Sequence, residues 1–351
     1  MEVINLSEAA HPDHAIKWVD SEMLLLDQRV MPHVERFVRC TDAQQTAEAI
    51  TAMVVRGAPA IGITAAYGVV LSVMHRLAEG KSNWRDAVIT DLETLAASRP
   101  TAVNLFWAID RMRKLIDEDS ETLVDRLLIE ARQIHQEDLI ANRLMGELGS
   151  ACITEPTSVI THCNAGGLAT GGHGTAVGVI RTAFQRGKIE HVYADETRPW
   201  LQGSRLTAWE LVHSGIPVSV IADSAASARM REGGIGWVIV GSDRIAANGD
   251  VANKIGTYQL AVAARHHGVK FMVVAPTSTL DLNVSCGEEI PIETREQSEI
   301  LQCGGANIGA KGAKAWNPVF DVTPAELVDV IVTERGVIRN PAEKGIRAIL
   351  R

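Results

Sequence analysis

An α/β protein is what the sequence predicts: a mainly helical N-terminal domain with a small antiparallel sheet over residues 1–150, then a Rossmann-like domain with a mostly parallel sheet over residues 151–351. Three observations predict it. Short strand-like runs separated by breakers crowd the start of the chain. Long helical periodicities fill the remainder of the first part. After Pro156, short apolar runs alternate with helix-like segments, which is the rhythm of a parallel sheet built with crossover helices. A chain of 351 residues has the length for two domains of ordinary size.

The first runs are Ile16–Val19, Met23–Leu26 and Arg36–Arg39, divided by turn formers such as Asp20 and Pro32. Thr41-Asp42-Ala43-Gln44 reads as a capping box, after which Ala43, Ala47, Ile50 and Val54 recur on one helical face. A second helix is expected to begin near Pro59, a favourable first-turn residue, and to stop at Gly80. A long amphipathic stretch from Ser120 to about Gly149 carries Leu123, Leu127, Ile134 and Leu148. In the second part the buried-strand runs are Ser158–His162, His191–Asp195, Val218–Ala222, Trp237–Gly241 and Phe271–Ala275. Near the end, Thr323-Pro324-Ala325-Glu326 reads as a further capping box with proline at the first helical position.

Composition narrows the function. Hydrophobic residues make up 46% and charged residues 22%, ordinary for a globular protein. The formal net charge of -9 argues against sequence-independent nucleic-acid binding, which needs Lys and Arg to neutralise phosphates. Five cysteines (40, 152, 163, 286 and 303) are scattered without a C-x-x-C pair, so reduced thiols in a cytoplasmic setting are expected, with no zinc site. The opening Met-Glu-Val-Ile-Asn has no signal-peptide character. No uncharged apolar run long enough to span a membrane is expected.

In parallel sheets ligands bind beyond the carboxyl ends of the strands, so the residues just after each run are the ones to inspect. After the first comes Cys163, then Asn164-Ala165-Gly166-Gly167-Leu168-Ala169-Thr170-Gly171-Gly172-His173-Gly174-Thr175. Glycines let backbone approach a ligand, and a following helix N-terminus favours anions or a thiolate. A buried structural cysteine beside a long turn is the plain alternative. Asp195 would suit a ribose hydroxyl, but Val177 stands where a dinucleotide fingerprint needs its third glycine. Gly241-Ser242-Asp243-Arg244 places an acid at a strand end, a general acid if its surroundings are apolar, otherwise a cap or a partner for Arg244. Asn253-Lys254-Ile255-Gly256-Thr257 reads as a helix start suited to a phosphate or sugar hydroxyls, although a surface lysine is commoner. Arg56-Gly57-Ala58-Pro59 and Arg99-Pro100-Thr101 read as turns with the makings of a phosphate cradle, and Gln202 as a hydroxyl binder.

As an ordered set these segments resemble one family across nearly the whole chain. Arg56-Gly57-Ala58-Pro59-Ala60-Ile61-Gly62, Arg99-Pro100-Thr101-Ala102-Val103-Asn104-Leu105, Thr161-His162-Cys163-Asn164, Asp195 to Gly203, Gly241-Ser242-Asp243-Arg244, Asn253 to Thr257 and Asn317 to Pro324 stand in the order and spacing of methylthioribose-1-phosphate isomerases. The resemblance implies conversion of 5-methylthioribose 1-phosphate to 5-methylthioribulose 1-phosphate in methionine salvage, without metal or nucleotide cofactor. It implies Cys163 and Asp243 as the catalytic pair. It implies Arg56, Gly57, Ala58, Arg99, Gln202, Asn253 and Lys254 as substrate-binding residues. It also implies a homodimer acting on a small pentose 1-phosphate, with neither nucleic acid nor membrane as partner. Gly167, Gly172 and His173 depart from the Ala, Ala and Tyr usual in that family. Isomerases of 5-deoxyribose 1-phosphate or ribose 1,5-bisphosphate, and non-catalytic regulatory subunits of the initiation-factor exchange complex, share the fold; retention of Cys163 and Asp243 favours the isomerase.

Overall fold

The computed structural model describes residues 1–4, 10–100, 102–116 and 122–351. Two compact units emerge: Met1–Asn142 with Gly166–Gly174, and Arg143–Ala165 with Thr175–Arg351. In the first unit, β1 (Glu2–Ile4), β2 (Ile16–Val19), β3 (Glu22–Leu26) and β4 (Phe37–Cys40) form an antiparallel sheet in the order β1-β4-β3-β2. The three expected strands are there within a residue or two. β1 is an addition, too short to stand out from the sequence.

Helix α1 (Ala43–Thr51) is capped one residue later than expected: the Asp42 side chain accepts from the Gln45 N–H at 2.7 Å, and Gln45 Oε1 accepts from the Thr41 N–H at 3.3 Å. A carboxylate at Asp42 outcompetes the Thr41 hydroxyl for the orphan amides. Ala43, Ala47, Ile50 and Val54 are all buried. α2 (Ala58–Ala78) is uncharged through most of its length and forms the centre of the first core, with α3 (Trp84–Ala97), α4 (Val103–Ile116) and the start of α5 (Leu123–Cys152) around it. By length and composition α2 would cross a membrane, which corrects the expectation that no such run exists; 78% of its most apolar window is buried within the fold. Ser120, the expected start of the last helix, and Thr101 lie outside the described residues.

The second unit is built on a seven-stranded sheet. In chain order its strands are β5 (Thr157–Thr161), β6 (Ile189–Asp195), β7 (Val218–Ile221) and β8 (Ile235–Val240). α6 (Ala176–Gln185), α7 (Ala208–His213) and α8 (Ala226–Arg231) connect them. β9 (Arg244–Ala246), β10 (Val251–Lys254), α9 (Thr257–His267) and β11 (Lys270–Val274) follow. The rest is β12 (Leu280–Asp281), α10 (Ser298–Leu301), β13 (Gln302–Cys303), β14 (Ala306–Asn307), β15 (Phe320–Thr323), β16 (Val330–Thr333), β17 (Gly336–Arg339) and α11 (Glu343–Ile349). The main sheet runs β17-β16-β11-β8-β5-β6-β7, parallel except for β16 against β17. The order reverses at β5, flanked by β6 and β8, which sets a switch point where the loops after β5 and β8 splay apart.

A second sheet, β12-β9-β10-β15, was not foreseen. It corrects two readings. Asn253 and Lys254 close strand β10 rather than opening a helix, which starts at Thr257. Thr323 ends β15 and leads only into a 3-10 turn at Ala325–Leu327 that neither Thr323 nor Glu326 caps; the Ala325 N–H instead donates to the distant Asp250 Oδ1 at 2.9 Å.

Candidate active site

Cys163 and Asp243 follow neighbouring parallel strands, β5 and β8, at the same carboxyl edge. The Thr161 hydroxyl donates to the Ile239 carbonyl at 2.8 Å, tying the two strand ends together. Cys163 has φ +65, an uncommon conformation for a side-chain-bearing residue. Its backbone is held on both sides. The N–H donates to Thr197 Oγ1 at 2.9 Å and the carbonyl accepts from Thr207 Oγ1 at 2.6 Å. Its sulfur accepts from Gln202 Nε2 at 3.4 Å, while the Gln202 Oε1 is buried and has no hydrogen-bond partner among the described residues. The thiol is thus partly exposed at the end of a rigid turn, with an amide carbonyl waiting beside it. All five cysteines are free.

The Asp243 N–H donates to the Ala252 carbonyl at 3.0 Å, anchoring the acid to β10. Its side chain is exposed, in contrast to the apolar surroundings expected of a general acid. Arg244 pairs instead with Asp281, at 3.6 Å. On β10, Asn253 is buried and its Nδ2 donates to Thr257 Oγ1 at 3.0 Å. Lys254 is buried too: Nζ donates to the Val319 carbonyl at 2.9 Å and lies 4.9 Å from the centre of the Phe320 ring. The commoner fate of a lysine, a solvated surface, does not apply.

Beneath the thiol lies a pair that sequence reasoning missed. His162 is 1% exposed; Nδ1 stands 2.9 Å from Asp195 Oδ2 and Nε2 2.9 Å from the Ile255 carbonyl. Burial disfavours its charge, but the Asp195 hydrogen bond and the attraction of Asp195, Cys163 and Asp223 carry it up to about 9. Asp195 therefore serves His162, not a ribose. His162, Asp195 and Asp223 converge as a metal site would. Yet both ring nitrogens are engaged, and the Asp223 oxygens accept the N–H groups of Thr197 and Arg198 at 2.7 and 2.8 Å. The signal for His162 was its place before Cys163 in the quoted motif; its carboxylate partner, 33 residues on, was not legible.

Arg56, Gly57, Ala58 and Arg99 belong to the first unit. Gly57 caps α2 at φ +96, and a Cβ there would fall 2.5 Å from the Ala169 carbonyl, so only glycine fits. The glycine loop itself is pinned at several points. Gln28 Nε2 donates to the Leu168 carbonyl, the Gly171 N–H to Asp138 and the His173 N–H to Asp13. At Gly167 a Cβ would lie 2.7 Å from the Pro12 carbonyl, which accounts for glycine there.

A switch-point α/β sheet with a thiol and a carboxylate at adjacent strand ends defines a small-molecule enzyme of the Rossmann-like class. Residues 54–340 match the Initiation factor 2 subunit family. Methylthioribose-1-phosphate isomerase of Thioalkalivibrio sulfidiphilus is 58% identical over 337 residues, covering 96% of this chain and 97% of that protein. The crystal structure of 5-methylthioribose 1-phosphate isomerase from Pyrococcus horikoshii matches with a TM-score of 0.89 at 40% identity, covering 96% and 95% of the two chains. That of translation initiation factor eIF-2B, subunit delta, from A. fulgidus matches with a TM-score of 0.86 at 40% identity, covering 96% and 98%. The chain belongs to the Initiation factor 2 subunit family, and within it to the methylthioribose-1-phosphate isomerases.

Proposed function

We propose that this chain converts 5-methylthio-D-ribose 1-phosphate to 5-methylthio-D-ribulose 1-phosphate in L-methionine salvage, as a cytoplasmic homodimer. The near-full-length identity to isomerases of that name carries the reading. The placement of Cys163 and Asp243 at neighbouring strand ends supports them as base and acid. Arg56, Gly57, Ala58, Arg99, Gln202, Asn253 and Lys254 are proposed to bind substrate. The buried, unsatisfied Gln202 Oε1 supports a substrate hydroxyl as its partner.

The chemistry follows from the substrate. Phosphate on the anomeric oxygen prevents opening to a free aldehyde. The ring opens by breaking the bond from C1 to the ring oxygen, which takes its proton from Asp243. Hydride then moves from C2 to the electron-poor C1, and the Cys163 thiolate removes the C2 hydroxyl proton to leave the ketone. This route avoids a carbanion beside a phosphate ester. Turnover of methylthio, 5-deoxy and 5-phospho pentose 1-phosphates by the purified chain tests the substrate; the methylthio compound is expected to lead, and preference for either alternative overturns the assignment. Running the reaction in heavy water tests the route: solvent deuterium at C1 of the product would contradict hydride transfer.

A further inference from the structure

His162 joins three segments that the proposed chemistry needs in register. It precedes Cys163, its Nδ1 meets Asp195 at the start of the segment carrying Thr197 and Gln202, and its Nε2 meets the carbonyl next to Lys254. Both ring nitrogens face acceptors at 2.9 Å, and a neutral imidazole has only one N–H to give. Satisfying both needs one further proton on the pair, and imidazole is a stronger base than a carboxylate. Gly256, at φ +104, lets the ring close in: a Cβ there would stand 2.9 Å from His162 Cε1.

We propose that His162 is a positioning residue, an imidazolium that holds the Cys163 turn in register with the Asn253–Lys254 strand end by donating to Asp195 and to the Ile255 carbonyl at once. This rests on the functional reading above. The groups facing the ring are Cys163 beside it, Asp195 at the end of β6, Asp223 after β7, and Asp321 on β15, itself near Lys254 on β10. All but Lys254 carry or acquire negative charge, so the surroundings hold the proton on the ring to high pH. As pH rises through about 9 the ring loses one N–H, the Ile255 link breaks, and the thiol and Lys254 lose their common anchor.

The test combines ring ¹⁵N NMR of the histidine-labelled protein with pH profiles of wild type, His162→Gln and His162→Asn. Expected are a doubly protonated ring at pH 7.5, titrating near 9, and a wild-type kcat that falls above that pH while the protein stays folded. His162→Gln, which reaches Ile255 alone, and His162→Asn, which reaches Asp195 alone, should each lower kcat at least about tenfold and lose the alkaline fall, because sub-ångström misplacement of reacting groups is costly. A singly protonated ring at pH 7.5 overturns the proposal even where the variants fail to fold. So does a variant keeping wild-type kcat and the same alkaline limb. Absence of turnover in wild type on any pentose 1-phosphate would instead sink the functional reading, with the ring titration still decided on the same sample.

Discussion

Cys163 sits in a left-handed conformation that costs free energy, of order 1–3 kcal/mol, in a residue with a side chain. Two threonine hydroxyls and a glutamine amide sustain it. That position was legible from the strand that precedes it; the hydroxyls that hold it come from Thr197 and Thr207, which no local pattern marks. Lys254 is the opposite case. Its residue type suggested a phosphate ligand at a helix start, but it is a buried strand residue donating to Val319. Lys254→Met should therefore lower Tm as well as weaken substrate binding. The Val319 carbonyl keeps the Ile255 N–H at 2.9 Å, so the loss is one hydrogen bond from a charged donor, about 1.5–3 kcal/mol, to be read by thermal melts alongside calorimetric binding of substrate. A variant that melts normally and binds normally would reduce Lys254 to a bystander.

Among the elements, helix and strand periodicity carried most of the architecture. The five apolar runs after Pro156 became β11, β8, β5, β6 and β7, five contiguous strands of the main sheet that end at the β7 edge, because strands covered on both faces are largely apolar. The sheet formed by β9, β10, β12 and β15 escaped notice because strands of two to four residues have too little length for a period to show, and β15 pairs with β10 across a long sequence separation. α1 shows how finely local competition works, with Asp42 displacing Thr41 as cap. Asp42→Ala should cost about 1 kcal/mol in urea unfolding, and Thr41→Ala far less. In α2, Leu71 is 1% exposed in the first core; Leu71→Ala should cost about 2–5 kcal/mol by the same measurement.

For the molecule as a whole, family membership was legible from an ordered set of motifs, each modest alone, while the grouping of Gly166–Gly174 with the first unit and the buried pair under the thiol needed three dimensions. Two buried charges bracket its pH range. In the first unit, burial opposes ionisation of Asp27, but Arg29 and Arg36 overcome it and hold the carboxyl below its ordinary value. That stability is present at neutral pH and is lost as pH falls toward the lowered value. In the second unit His162 is raised, so its contribution is full below the ordinary histidine range and is lost as pH climbs through about 9. Melting curves across pH should show both limbs, the acid one reduced in Asp27→Asn.

The central claim, a thiol and a carboxylate acting as base and acid on a pentose 1-phosphate, is tested most directly by ³¹P NMR of 5-methylthioribose 1-phosphate incubated with wild type, Cys163→Ser and Asp243→Asn. Wild type should convert the substrate to the ketose 1-phosphate. Each folded variant should lose at least about 10²-fold in rate, the lower bound usual for a general acid or base. Near-normal turnover in either variant would contradict the account.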